Sequence, residues 1–515
     1  MWWISALYIV LLLGYSIMFP AYRSPDEPLH IDLMHLFSEE QQYPAWDEGY
    51  LSDGMTRSLS LAHFGTNAQN LTTEGAVPKH ERPSYEDLEA AGPPLATQSI
   101  NQLSQHPPLH YVVAGSAMWG LEAVFGDPIG AYDREAWVYR LFSIMIVAPL
   151  PLIIWRTAGV LRLPRSLRYA AMLVPLTIPQ FVHISSTANN DSLSFILFCA
   201  LTPVVLRVAD GHLAARTALL AGGLTGAGLL TKGFATIMVL WITAALVVAL
   251  LRRGRTAVRP VAGFGLVFAG VGLATGGWWW IRNLVLYGQA SPSRFDQLVR
   301  TLDRVEVDFW RYVSTWAYRT NRRFWGQFGW FEISLPSSAI LVATLVAVAA
   351  IVLAVVRRSR VAVVPLATRL LLLFPLVALM ATQFQRGLAE YARTGTFPGL
   401  QGRYWFGAIA AISILIALGI GTTLRGRARW TPVVVLCGAT VMQILTVIAS
   451  LSYYWGAPGS GLADRVRAVV AWAPLPGELI ALGLLVGLAT ITGSVWQVVR
   501  LVRADDRDVA GATTA

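Results

Sequence analysis

Two adjacent carboxylates framed by prolines, in Ser24-Pro25-Asp26-Glu27-Pro28-Leu29-His30, directly follow an apolar run from Trp2 to Pro20. A carboxylate at an apolar boundary is partly desolvated, which raises its pKa and suits it to take a proton as a general base. The plain alternative is a solvated turn that puts negative charge at the start of the next helix. Cations stand at the ends of other apolar blocks: Lys232, which with Lys79 makes up all the lysine in the chain; Arg282 within Trp278-Trp279-Trp280-Ile281-Arg282-Asn283; Arg323 within Arg322-Arg323-Phe324-Trp325-Gly326-Gln327; and Arg403 within Gln401-Gly402-Arg403-Tyr404-Trp405. Guanidinium matches phosphate in a bidentate way, and a lysine at the edge of an apolar block is costly unless it meets an anion. Together these residues supply a base and a phosphate clamp. Two further polar runs are Gln105-His106-Pro107-Pro108-Leu109-His110-Tyr111, a rigid helix entry, and Asn189-Asn190-Asp191, which alone reads as an Asx-rich turn. The Gly-Leu-Leu-Thr-Lys-Gly around Lys232 lacks the spacing of a phosphate-binding P-loop.

The elements that must position these groups are apolar helices. A bilayer span needs roughly 20 apolar residues. Such blocks fall near 2–20, 139–157, 169–187, 191–207, 217–231, 234–251, 259–280, 337–356, 364–383, 404–423, 431–452 and 477–499. The expected fold is therefore an all-α polytopic membrane protein of about twelve transmembrane helices. Arginine clusters occupy alternate connections: Arg156 to Arg168; Arg207 and Arg216; Arg252 to Arg259; Arg357, Arg358 and Arg360; Arg425 to Arg429; and Arg500 to Arg507. The positive-inside rule assigns these, and both termini, to the cytoplasm. The long connections 21–138 and 281–336 then face outward and carry nearly all the acidic residues. In the first, Leu29 to Phe37 and Pro108 to Phe125 read as amphipathic helices in the interface plane, with Leu109, Val112, Val113, Met118, Leu121 and Phe125 on the apolar side of the second. Residues 47–105 between them, rich in Ser, Gly, Pro, Asn and Gln, read as an exposed loop. The implied organisation is a catalytic membrane module over 1–280, an outer loop over 281–336, and further membrane helices over 337–515.

Composition excludes other classes. Of 515 residues 55% are hydrophobic and only 14% charged, against about a quarter in a soluble domain. The formal charge of +10 invites a nucleic-acid reading, but the arginines sit as short punctuation between apolar blocks. Cys199 and Cys437 lie inside apolar blocks, which argues against a disulfide framework or a zinc site. The first block has no basic leader and no small-residue cleavage site, and reads as a retained span.

In this order, Pro-Asp-Glu-Pro after the first span, His-Pro-Pro-Leu-His-Tyr, and Tyr139-Arg140-Leu141-Phe142-Ser143 opening the next span resemble the GT-C superfamily of membrane glycosyltransferases. The layout is most similar to glycosyltransferase family 39, which includes protein O-mannosyltransferases and lipid A aminoarabinose transferases. The Phe-Trp-Gly-Gln-Phe-Gly-Trp and Gln-Gly-Arg-Tyr stretches resemble an uncharacterised bacterial branch of membrane proteins beside it. The resemblance implies a polyprenyl-phosphate sugar donor and a glycan, lipid or protein acceptor at the extracytoplasmic face of the cell membrane. It implies that Asp26 activates the acceptor hydroxyl with Glu27 in support, and that Asp191 and Lys232 occupy family positions. Arg282, Arg403, Lys232 and Arg323 would hold the donor phosphate, and His30, His106, Asp191, Tyr404 and Trp325 would contact substrate. His106 stands where the aminoarabinose transferases carry a lysine, so their specificity does not transfer. No cofactor is required, while a divalent cation on Asp26, Glu27 and Asp191 stays open. One base with a phosphate clamp suits a single inverting displacement through an oxocarbenium-like transition state. The rival classes are a transporter or flippase of lipid-linked sugars, and a non-catalytic protein that presents such a glycan. The first would show internal repeats and ionisable groups at mid-membrane, and neither is visible in the sequence.

Overall fold

The computed structural model describes all residues except 64–76, 127–128, 295–297, 300–301, 303–304, 359–360, 458 and 514–515, and the side chains of 504–513. Arg360 and the side chain of Arg507, from two of the expected basic clusters, lie outside the described residues.

An apolar helix satisfies its backbone internally and can therefore sit in hydrocarbon. Helix α1 is Trp2–Met18. The first connection then holds α2 (Glu27–Glu40), α3 (Asp53–Leu61), α4 (Tyr85–Ala90) and α5 (Leu109–Phe125). Next come α6 (Tyr132–Val147), α7 (Leu150–Val160), α8 (Arg165–Leu173), α9 (Pro179–Ser185), α10 (Asp191–Ala209) and α11 (Ala215–Leu229). They are followed by α12 (Thr236–Arg253), α13 (Val258–Gly272), α14 (Trp278–Tyr287) and α15 (Phe309–Trp325). A two-stranded antiparallel hairpin, β1 (Gln327–Phe328) and β2 (Ile333–Ser334), leads into α16 (Ser337–Val356). The chain ends with α17 (Leu366–Thr394), α18 (Ile409–Leu424), α19 (Thr431–Tyr454), α20 (Leu462–Trp472) and α21 (Gly477–Thr513).

Among the described residues, seven helical segments are long and apolar enough to cross a membrane. Two of them, Gly233–Tyr287 and Gly402–Tyr454, run for 55 and 53 residues and each contain two long helices, turning at Gly254 (φ +63°) and Arg425 (φ +49°). The expected count of about twelve is not reached on these criteria. The span expected over 169–187 is broken into α8, a 3₁₀ turn and α9 by Pro175 and Pro179, and α1 and α11 have only 17 and 15 residues. Helix α16 is apolar on all sides yet buries little of itself, with Leu341, Leu345 and Val352 more than half exposed. That surface needs lipid.

The bundle has two distinct ends. The Met1 amine donates to the Tyr169 hydroxyl at 3.1 Å, and Gln497 Nε2 reaches the same hydroxyl at 2.7 Å. Some 25 Å away along α1, by the ~1.5 Å rise per helical residue, Trp455 Nε1 donates to the Met18 carbonyl at 2.8 Å. Helix α18, buried from Ile409 to Gly419, runs through the centre beside α10 and joins the two ends.

The first connection is more ordered than its composition suggests. Ser52 caps α3, and Ser84 forms a reciprocal capping box with Asp87 at the start of α4, so 47–105 holds two short helices rather than only an exposed loop. A second apolar core, built from Tyr22, Ile31, Met34, Met55, Tyr85 and Tyr111 among others, joins α2 to α5. Their close approach requires Gly115, because a Cβ there would lie 2.7 Å from the Met34 carbonyl oxygen. Helix α5 therefore turns His110, Tyr111, Ala114, Gly115 and Met118 inward, while Val113 and Phe125 of the expected apolar side are exposed. Gly115 permits the approach.

Candidate active site

Asp26 precedes α2 with φ +66°, a left-handed conformation that aspartate tolerates better than most residues. Its neighbour Glu27 anchors the turn. Arg140 of α6 grips Glu27 with Nε to Oε1 and Nη2 to Oε2, both at 2.7 Å, and Ala188 N–H donates to Oε1 at 3.1 Å. The same guanidinium donates to the carbonyls of Ser16, Phe19 and Pro20 at 2.6–2.8 Å. Glu27 is 0% exposed. Its charge is spent on closing the end of α1, so it fixes the direction in which Asp26 points.

Arg403 lies in the 3₁₀ turn Gly402–Ala408 that opens α18. The turn packs directly on the backbone of α15, where a Cβ at Gly402 would collide with Thr320 and Phe324. From there Nη2 reaches Asp26 Oδ2 at 2.5 Å, Nη1 donates to the Pro25 carbonyl at 3.1 Å, and Nε stands 3.5 Å from Asp191 Oδ2. Asp191 opens α10, where the helix dipole favours a carboxylate. Its Oδ1 pairs with Lys232, which follows α11 in extended conformation and also reaches Asn190 Oδ1 at 3.5 Å. Asp26, Arg403, Asp191 and Lys232 thus form one alternating chain of two anions and two cations. Only the Asp26 side chain, at 24%, retains much exposure.

The chain of charges borders a cavity of about 620 Å³. Asp26, His30, His106, Lys232, Arg403 and Tyr404 line it. Trp279, Trp280, Gln383, Arg386 and Glu390 complete the polar and aromatic wall. Lys232 stands 5.3 Å from the centre of the Tyr404 ring. The histidines are held neutral: burial pushes His106 down to about 3, with Lys232 and Arg386 adding to the effect. Burial likewise lowers His30, whose Nδ1 meets the Tyr111 hydroxyl at 3.1 Å, and takes His110 behind it to about 4.

Five residues expected at the site do not line the cavity. Glu27 is in the Arg140 clamp. Arg282 lies over the rings of Trp279 and Tyr287 at 4.9 and 5.6 Å and donates to Asn283 Oδ1 at 3.1 Å. Arg323 donates to the Leu400 carbonyl at 2.9 Å and covers the Phe331 ring at 3.8 Å; burial first, then Arg319 and Arg403, lower it to about 10. Trp325 is in the main core. Asp191 lies one layer behind the wall, through Lys232 and Asn190. Conversely, Gln383, Arg386 and Glu390 enter the site without having been singled out by sequence. Their spacing of three and four residues places them on one face of α17, from the expected end of its apolar block at 383 onward. The signal is a helical period that continues past the span.

Asp26, Glu27 and Asp191, the carboxylates open to a divalent cation, each face a cation of the chain. Asp26 and Asp191 are already balanced by Arg403 and Lys232, and Glu27 by Arg140, and no group of three or more metal-ligating side chains occurs among the described residues.

Fold and site together define a polytopic helical membrane protein with a charged, aromatic-walled cavity at one end of its bundle. The chain belongs to the family of predicted membrane proteins DUF2142, which matches residues 9–415. No curated protein matches the sequence. Among solved structures it is similar to ArnT from Cupriavidus metallidurans bound to undecaprenyl phosphate, at 12% identity and a TM-score of 0.44, over 94% of this chain and 77% of that one. It is also similar to the Archaeoglobus fulgidus oligosaccharyltransferase in complex with Zn and sulfate, at 12% identity and 0.44, over 87% of this chain and 53% of that one. A third likeness is to the oligosaccharyltransferase AglB of Archaeoglobus fulgidus with an inhibitory peptide and a dolichol-phosphate, at 11% and 0.41, over 92% and 56%. The chain thus spans little more than half the length of the archaeal proteins. Likenesses at this level carry no statement about chemistry.

Proposed function

We propose that the protein is a membrane glycosyltransferase, which moves a sugar from a polyprenyl-phosphate donor to an acceptor hydroxyl at the extracytoplasmic face of the cell membrane. The observation that carries this reading is the contact of Asp26 with Arg403 in the wall of one cavity: a carboxylate and a phosphate-matching cation already share a site.

In this mechanism the donor phosphate enters beside Lys232, Arg386 and Arg403. It competes with Asp26 for the guanidinium, and Asp26 is released to accept the proton of the acceptor hydroxyl. The acceptor oxygen bonds to the anomeric carbon as the carbon–oxygen bond to phosphate breaks. The electron pair leaves on polyprenyl phosphate, whose charge the cations neutralise. Inversion at the anomeric carbon follows from a single displacement. Trp279, Trp280 and Tyr404 offer aromatic faces to the sugar or the first isoprene units. Buried neutral histidines His30 and His106 give hydrogen-bonding partners without adding charge. In this reading residues 1–280 form the catalytic module, completed by Arg386, Arg403 and Tyr404 from the membrane helices of 337–515, and the arginine-rich end of the bundle, with both termini, faces the cytoplasm.

The test compares wild type and Asp26→Asn in lipid discs, with a panel of polyprenyl-phosphate sugars and a membrane extract as acceptor. Free polyprenyl phosphate is followed by mass spectrometry. Release by wild type alone supports the transferase and its base. Equal release by both removes Asp26 from that role. Release by neither, with movement of labelled lipid between leaflets, favours a flippase.

A further inference from the structure

At the opposite end of the bundle lies a second, open-mouthed cavity of about 700 Å³, where the turn after α7, the α10–α11 connection and the start of α17 meet. The separation follows from α10 alone, which begins at Asp191 beside the first cavity and carries Arg207 some 24 Å further on, at ~1.5 Å per residue. Three guanidiniums line the second cavity: Arg162, Arg207 and Arg216. Among the described residues none of the three has a side-chain hydrogen bond or ion pair. Of the other polar groups there, Asp210 pairs with Arg252 at 2.7 Å, Arg252 also donates to Thr368 Oγ1 at 3.0 Å, and His212 Nδ1 meets the Arg207 carbonyl at 3.2 Å. The cavity is therefore left with uncompensated positive charge. Its remaining wall is apolar, from Leu161, Leu213 and Val363 among others.

We infer that this cavity is a binding site for the phosphate headgroup of an anionic glycerophospholipid in the leaflet opposite the Asp26 cavity. Three unpaired guanidiniums lining one cavity match a phosphodiester with more than one set of charge-assisted bonds. The apolar wall takes the glycerol and first acyl carbons, which a free phosphate does not possess. A scattered positive-inside cluster needs no shared concave surface, and these three arginines line one. The site is independent of the proposed transfer reaction.

The test uses the full chain, delipidated in detergent, with native mass spectrometry counting bound phosphatidylglycerol, phosphatidylcholine or inorganic phosphate. Wild type is expected to bind phosphatidylglycerol at least tenfold more tightly than phosphatidylcholine, and millimolar inorganic phosphate leaves that binding in place. Changing Arg162, Arg207 and Arg216 together to Gln reduces the preference to within about twofold. Thr217→Trp places bulk in the cavity without altering charge and also weakens retention at least threefold. Changing Arg425, Arg427 and Arg429 together to Gln removes the same charge elsewhere at that end and leaves the preference intact. If the triple variant does not fold, Arg216→Gln alone carries the test, with at least a threefold loss expected. The inference is overturned if wild type shows no preference, if the Arg425 set loses as much as the cavity set, or if Thr217→Trp binds normally. It is also overturned if inorganic phosphate displaces the lipid, which would make the site one for free anions.

Discussion

Arg403 Nη2 lies 2.5 Å from Asp26 Oδ2 across 377 positions of sequence, and the same guanidinium faces Asp191 with its Nε. One cation therefore holds the carboxylate of the first connection against the start of α10. The proposed reaction depends on exchanging that contact for one to phosphate.

Asp26→Asn keeps the shape of the turn and a hydrogen bond to Arg403 but removes the base. Loss of a positioned general base costs roughly 10²–10⁴-fold in rate. Single-turnover release of polyprenyl phosphate should fall within that range while donor binding changes little. Donor binding that fails together with turnover would instead mark Asp26 as a binding group.

Glu27 and Arg140 should behave differently. Removing one partner of a buried pair leaves the other charge stranded, at a cost of about 3–5 kcal/mol. Glu27→Ala is expected to lower the thermal unfolding midpoint of the detergent-solubilised protein markedly, with or without donor. A midpoint equal to that of wild type would remove the structural role assigned to the clamp.

Arg386 lines the cavity yet is exposed and has no protein partner among the described residues, so Arg386→Gln should leave stability unchanged. If it meets the donor phosphate, loss of one charge-assisted contact raises the KM for donor about tenfold, by roughly 1.5 kcal/mol. Lys232→Gln should combine a similar rise in KM with lower stability, because it leaves Asp191 with Arg403 as its remaining cation. An unchanged KM in both variants would argue against phosphate at this wall.

The histidines give stability a two-sided pH dependence. His106 and His110 are lowered by burial to about 3 and about 4, below the ~6.5 expected unfolded. The unfolded chain then binds more protons at mildly acidic pH, so their contribution is whole above pH ~6.5 and is lost as pH falls toward the folded values. His35 is opposite: burial lowers it, but Glu135 at 2.8 Å more than compensates and raises it to about 9. Its contribution is whole below pH ~6.5 and is lost as pH rises through about 9. Thermal midpoints should therefore peak near pH 6.5. His110→Phe should flatten the acid limb and His35→Gln the alkaline limb; an acid limb unaltered in His110→Phe would remove that assignment.

Sequence by itself determined that this is a helical membrane protein, because backbone in hydrocarbon must bond to itself and long apolar blocks are the record of that requirement. It also placed Asp26 just beyond α1, Asp191 at the head of α10 and Arg403 at the head of α18, since helix ends can be read from where apolar blocks stop. Tertiary structure alone decided the use of each charge. Asp26 and Glu27 are neighbours of the same chemistry, yet Arg140, 113 residues further on, captures one, while Arg403 holds the other at the cavity. Ion pairs form where helices converge, and convergence rests on close contacts such as Gly115 on Met34 and Gly402 on α15. Arg386 entered the wall for the same reason: packing, rather than spacing along the chain, aimed that face of α17 at the cavity.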